Sequence, residues 1–172
     1  NHDHVSILQT EAELVSKKVV IRSIDINHYE EELKKLYPFI CASFQNNFLY
    51  TEVSEENFIS KYKEAAAIIN PAFVLIAEDK NKKVIGFIFC YQDLLNTKSK
   101  TIVVKTVARN PAKEWKGLGH VMGNHIIRAA AQRDFTAAIH AFVIEQGTST
   151  GLSDSFSGNS YKNYVLYGMA IS

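Results

Sequence analysis

The stretch Val107-Ala-Arg-Asn-Pro-Ala-Lys-Glu-Trp-Lys-Gly-Leu-Gly119 decides the fold. An apolar run, Thr101–Ala108, reads as a strand entering a turn at Asn110-Pro111, and a helical pattern continues from Gly119 to about Arg133. Between them stand two glycines spaced G-x-G, with Lys116 beside the first. Glycine has no Cβ, so successive backbone N–H groups can face an anion, and the helix N-terminus adds partial positive charge there. Strand, proline turn, G-x-G and helix in that order predict a phosphate-binding turn cradled by the backbone of Trp115 to His120.

Around this turn the chain reads as mixed α/β. Residues 1–16 are polar and weakly patterned, so an N-terminal arm is expected over 1–17 and one domain over 18–172. Lys18–Asp25 is a short strand. Asn27 stands where it would cap the next helix, with Glu30 reaching back and Leu33, Leu36, Tyr37, Ile40 and Phe44 at helical spacing. Ser54 opens a second helix to about Ile69, stopped by Asn70-Pro71. Phe73–Ala77 and Val84–Tyr91 are strands apolar on both faces, which places them inside a covered sheet. After the glycine turn and its helix come a strand over Thr136–Ile144, a small Ser-rich segment over Gly147–Gly158 and an aromatic strand over Tyr161–Ile171. The order is β-α-α-β-β-β-α-β-(short α)-β, one layer of sheet with helices packed on it.

Composition narrows the classes. The 172 residues suit one domain, and 47% hydrophobic with 22% charged residues is ordinary for a soluble protein. A net charge of +1 gives no global attraction to nucleic acid or anionic lipid, so phosphate binding must be local. Cys41 and Cys90 lie in apolar runs, as expected of buried, reduced thiols in a cytoplasmic protein. The first residue is Asn1 rather than Met, as in a piece of a longer chain. His120 and His125 are about 140° apart around a helix, so they cannot share a metal, and no metal is expected. Neither a Ser-His-Asp pattern nor the glycine fingerprints of nucleotide-binding folds occur.

The element order, with the glycine turn after the fourth strand, resembles the GCN5-related N-acetyltransferase superfamily over roughly residues 18–171. That superfamily's R/Q-x-x-G-x-G/A hallmark matches Glu114-Trp-Lys-Gly-Leu-Gly119 in spacing, with Glu114 in place of Arg or Gln, and Pro111 also falls in register. His140-Ala-Phe-Val143, Gly147-Thr-Ser149 and Tyr164-Val-Leu-Tyr167 look like its C-terminal segments. The resemblance implies an α/β (α+β) fold with a single mixed, mostly antiparallel sheet and helices on both faces. It implies acetyl-CoA as cosubstrate, with the pantetheine arm bonded to the main chain at Val107, Ala108 and Arg109 in a splay between the fourth and fifth strands. The pyrophosphate would lie along Glu114, Trp115, Lys116, Gly117, Leu118, Gly119 and His120. The acceptor would be an amine of a small molecule or peptide, met by the first two helices and the aromatic loop Gln45–Glu56, with no nucleic acid or membrane partner; a homodimer is left open.

Three residues are candidates for acid or base. His140 lies mid-strand and has an ordinary pKa near neutrality. Glu78 ends an apolar strand, and Tyr164 lies on the expected last strand. The superfamily's usual helix tyrosine would fall at about Asp154, and no tyrosine lies between Tyr91 and Tyr161. Direct attack by a neutral amine on the thioester, dominated by positioning, is therefore expected. The alternative is a catalytically silent acyl-CoA-binding or sensing domain of a larger protein.

Overall fold

The computed structural model describes residues 2–47, 50–141, 143 and 150–164. Five strands, β1 (Val20–Ser23), β2 (Val74–Glu78), β3 (Val84–Gln92), β4 (Thr101–Arg109) and β5 (Ala137–His140), lie in the order β1-β2-β3-β4-β5. The first four are antiparallel and β5 runs parallel to β4, a mixed and mostly antiparallel sheet. The helices are α1 (His2–Ser16), α2 (Tyr29–Phe44), α3 (Glu55–Lys63), α4 (Leu118–Ala131) and α5 (Thr150–Ser155).

Strand alternation makes two cores, one on each face. On one face Leu75, Ile85, Ile88 and Ile102 pack with Ile7 and Leu14 of α1 and with Leu118 and Met122 of α4. On the other, Val74, Ile76 and Val84 pack with Leu33 and Leu36 of α2 and with Phe58 and Tyr62 of α3. The apolar run Val74–Ala77 is buried on both sides, as its composition required.

Residues expected to form an arm are instead helix α1, packed along α4. Ile7 and Leu14, two turns apart, are buried against α4, and Glu11 Oε1 lies 2.5 Å from His125 Nε2. Lys17 Nζ donates to the Glu114 carbonyl at 2.9 Å. Two buried apolar residues a heptad apart give little periodicity, yet tertiary packing suffices to hold the helix.

Other boundaries moved for identifiable reasons. Asp25, not Asn27, caps the turn before α2, accepting from Asn27 N at 2.9 Å and pairing with His28 Nδ1 at 2.8 Å. This makes Ile26–His28 a 3-10 turn and starts α2 at Tyr29. Ser54 caps α3 as expected, its Oγ accepting from Asn57 N at 3.3 Å. That helix gives way to a 3-10 turn at Glu64–Ala67. The strand expected over Thr136–Ile144 is β5, Ala137–His140, with Phe142 and Ile144 outside the described residues. Tyr161–Tyr164 is not in a strand, and the remainder of that expected strand, 165–171, lies outside the described residues.

Candidate active site

Among the described residues, the two parallel strands are paired over the first half of β4. Pairing of β4 with β5 covers Thr101–Val104 against Ala137–His140 and ends where Ala141 N donates to Val104 O at 3.0 Å. From Lys105 to Arg109, β4 pairs only with β3 among the described residues. A β-bulge follows in β4: Phe89 faces Thr106 and Cys90 faces Val104, leaving Lys105 as the extra residue. Beyond the bulge Asn110 N donates to Ile85 O at 2.8 Å. Alternation from that bond turns the main chain of Val107 and Arg109 away from β3, toward the β5 side. Ala108 differs from its two neighbours. It faces Phe87 with its main chain toward β3, so it does not supply the bonds the resemblance implied for it.

The strand leads straight into the glycine turn. Asn110 Oδ1 accepts from Ala112 N at 3.0 Å, and a 3-10 turn, Lys113–Trp115, sets the Trp115 ring into the core. Gly117 caps α4 in the left-handed region at φ 86°, a conformation that disfavours any side chain. The N–H groups of Trp115, Lys116 and His120 are consumed locally, by Ala112 O, Lys113 O and Gly117 O. Those of Gly117, Leu118 and Gly119 have no acceptor among the described residues. The expected cradle therefore narrows to these three. A Cβ on Gly119 would meet nothing within 4 Å, so the ground over the helix start is open. Free N–H groups, a helix N-terminus and open space fit a pyrophosphate. Lys116 and Glu114 are exposed at the turn.

The three acid–base candidates are not brought together. Among the described residues His140 is the last paired residue of β5, opposite Val104. Its ring is half-buried, which lowers its pKa and favours the neutral form. Its Nδ1 lies 2.7 Å from Ser153 Oγ on α5. Ser153 escaped the sequence reading; its signal was adjacency to Asp154, the position where the resemblance implied the missing tyrosine.

Glu78 is committed elsewhere. Arg22 clamps it through Nη2–Oε1 at 2.6 Å and Nε–Oε2 at 3.2 Å, while the Arg22 Nη1 holds Glu32 Oε2 at 2.6 Å. The two carboxylates in turn hold the guanidinium above the ordinary arginine range. On β2 the carboxylate also stands two strand spacings, about 10 Å, from β4. Both oxygens are engaged by Arg22 and neither lies near β4, so the geometry does not bring Glu78 to the candidate site. Tyr164 is 74% exposed and outside any strand, so the aromatic strand that was to deliver it is not seen there. Among the described residues there is no group of three or more His, Cys, Asp or Glu that could hold a metal ion.

No protein-family model matches the sequence, and no curated protein sequence is similar to it. Solved structures are similar in fold. An aminoglycoside acetyltransferase from an uncultured soil metagenomic sample, in complex with sisomicin, superposes with a TM-score of 0.62 at 12% identity, covering 92% of this chain and 99% of that one. The aminoglycoside N-acetyltransferase AAC(6')-Iy in complex with CoA gives 0.62 at 12% identity, covering 89% and 95%. The NatC complex bound to Gag peptide and CoA gives 0.60 at 15% identity, covering 80% and 82%. The chain has the acyl-CoA N-acyltransferase fold of the GCN5-related N-acetyltransferases. No helix among the described residues is long and apolar enough to cross a membrane.

Proposed function

We propose that this chain is an N-acyltransferase that moves an acetyl group from acetyl-CoA to the amine of a small molecule or peptide. One observation carries the reading: among the described residues β4 has no β5 partner beyond Val104, which we read as an opening in the sheet, and its main chain continues into a left-handed glycine turn with three N–H groups that meet no acceptor there. The turn would take the pyrophosphate. Val107 and Arg109 would bond the pantetheine arm as an adjoining strand would. From Arg109 to Val104 is five residues, about 17 Å of strand, comparable with an extended pantetheine arm. The thioester then lies toward the closed end of the opening.

There a neutral amine attacks the carbonyl carbon, the C–N bond forms and the C–S bond breaks, and one proton passes in net from nitrogen to sulfur. Main-chain N–H groups along the opening polarise the carbonyl oxygen. His140, kept neutral by burial, can accept a proton, and the Ser153 hydroxyl beside it can donate one. The pair stands in for the absent helix tyrosine. The fold of the CoA-bound relatives supports the cosubstrate, and a reduced, cytoplasmic setting fits the unpaired Cys41 and Cys90. The test is calorimetric titration with acetyl-CoA, followed by free-thiol release with a panel of amines. Binding without turnover of any amine would leave a sensing domain instead.

A further inference from the structure

We infer that Lys17, which follows α1, binds phosphate in the nucleotide half of the acyl donor and supplies the cation that the glycine turn lacks at position 114. This rests on the acetyl-CoA reading and adds a residue outside the motif, 97 positions before Glu114.

Helix α1 fixes its placement. Thr10, Leu14 and Lys17 follow one another at helical spacing and so share a face. Thr10 lies against Gly117, Leu14 is buried in the same core as Leu118, and Lys17 Nζ donates to the Glu114 carbonyl at 2.9 Å. The Glu11–His125 contact ties the same helix to α4. A lysine ammonium has three donors, and the carbonyl uses one. The other two stand beside the turn whose Gly117, Leu118 and Gly119 N–H groups meet no acceptor among the described residues.

Charge at this end of the molecule favours an anion. Pairing of Val20 with Glu78, Glu78 with Val84 and Gly86 with Arg109 brings the start of β1, the β2–β3 turn and the end of β4 together. The carboxylates there are Glu13, Glu78, Asp79 and Glu114. Arg22 clamps Glu78, and Asp79 Oδ1 accepts from Asn81 N at 2.8 Å and Lys83 N at 3.0 Å. Glu13 and Glu114 are exposed and form no ion pair among the described residues. Against these stand Lys17, Lys18, Lys80, Lys82, Lys83 and Lys116, all exposed and none in an ion pair among the described residues. With a net charge of only +1 over the whole chain, the excess is local to this end. Lysines gathered without counterions repel one another, and a phosphate relieves that repulsion.

Calorimetric titration with acetyl-CoA and with acetyl-dephospho-CoA, each at low and high salt, tests this in wild type, Lys17→Gln, Lys17→Glu and Lys17→Arg. Glutamine can still donate to the Glu114 carbonyl but carries no charge, so a merely structural tie survives in Lys17→Gln. That variant should bind acetyl-CoA about three- to tenfold more weakly at low salt, with a smaller loss at high salt. Lys17→Glu should lose more, and Lys17→Arg should stay close to wild type. A loss shared by both donors supports the inference with the ammonium on the pyrophosphate. A loss confined to acetyl-CoA supports it with the ammonium on the phosphate that the dephospho analogue lacks. Wild-type affinity in Lys17→Gln, or an equal loss in Lys17→Arg, overturns the inference and leaves the acetyl-CoA reading standing. No binding of acetyl-CoA by the wild type overturns both.

Discussion

Thr10 of the N-terminal helix occupies the space a side chain on Gly117 would need: a Cβ there would lie 2.6 Å from Thr10 Cγ2. Gly119, two residues on, has nothing within 4 Å of the same position. The two glycines of the motif therefore answer to different demands, one of the fold and one, on the proposed reading, of the pyrophosphate. Gly119→Val should fold normally and lose about ten- to a hundredfold in acetyl-CoA affinity, the worth of one or two charge-assisted bonds. Gly117→Ala should lower stability by about 1–3 kcal/mol through its left-handed backbone. Calorimetry and urea unfolding separate the two, and unchanged affinity in folded Gly119→Val would remove the pyrophosphate from this turn.

His140 and Ser153 should behave as one unit. His140→Ala and Ser153→Ala are each expected to lower kcat by about 10²-fold or more, with the double variant little worse than either. Rates that multiply in the double variant, or singles near wild type, would return the reaction to positioning alone. In every case kcat/KM should rise with pH as the acceptor ammonium loses its proton.

Burial of His140 also has a sign in stability. Its folded pKa is lowered, so the unfolded chain binds the extra proton more readily. The neutral-favouring contribution is intact above the unfolded value, about 6.5, and is progressively lost as pH falls below it. His140→Asn should flatten the fall of Tm between about pH 7 and pH 5. A slope the same as wild type would show that this histidine is not the group responsible.

Arg22 is expected to matter for folding rather than chemistry. Glu32 is only 3% exposed, and removing Arg22 leaves this buried carboxylate with only the Lys35 ammonium, at 3.4 Å. Arg22→Ala should cost about 2–3 kcal/mol in urea unfolding, less than a fully buried pair because the guanidinium is partly solvated. Arg22→Lys should recover part of that, since an ammonium cannot fork between two carboxylates.

The two thiols should part company. Cys90 is wholly buried in the sheet, and desolvation pushes its pKa up to about 12. Cys41 on α2 is only half-buried, against the expectation that both are enclosed. Native-state alkylation followed by peptide mass analysis should modify Cys41 and spare Cys90.

Legibility in the sequence followed the range of the forces involved. β2, β3, β4 and α4 were readable because runs such as Val74–Ala77 and the glycine turn are local signals. The N-terminal helix was not, since Ile7 and Leu14 acquire meaning only against α4, more than a hundred residues away. Glu78 looked available because its partner, Arg22, arrives through β1 pairing to β2. Ser153 was invisible for a related reason: it matters only through its contact with His140, which joins α5 to β5.

A strand partnered on one side only has a colloidal side as well. A ladder of unpaired main-chain groups is a template for a strand from another molecule, and sheets usually keep such edges at their rims, short and charged. Among the described residues, the part of β4 without a β5 partner is headed by Lys105 and closed by Arg109, the residue types that discourage foreign pairing. Whatever lies against it in use also shields it. A preparation stripped of acyl-CoA would then be the one to cloud on storage, and solubility would track the supply of a metabolite rather than the sequence alone.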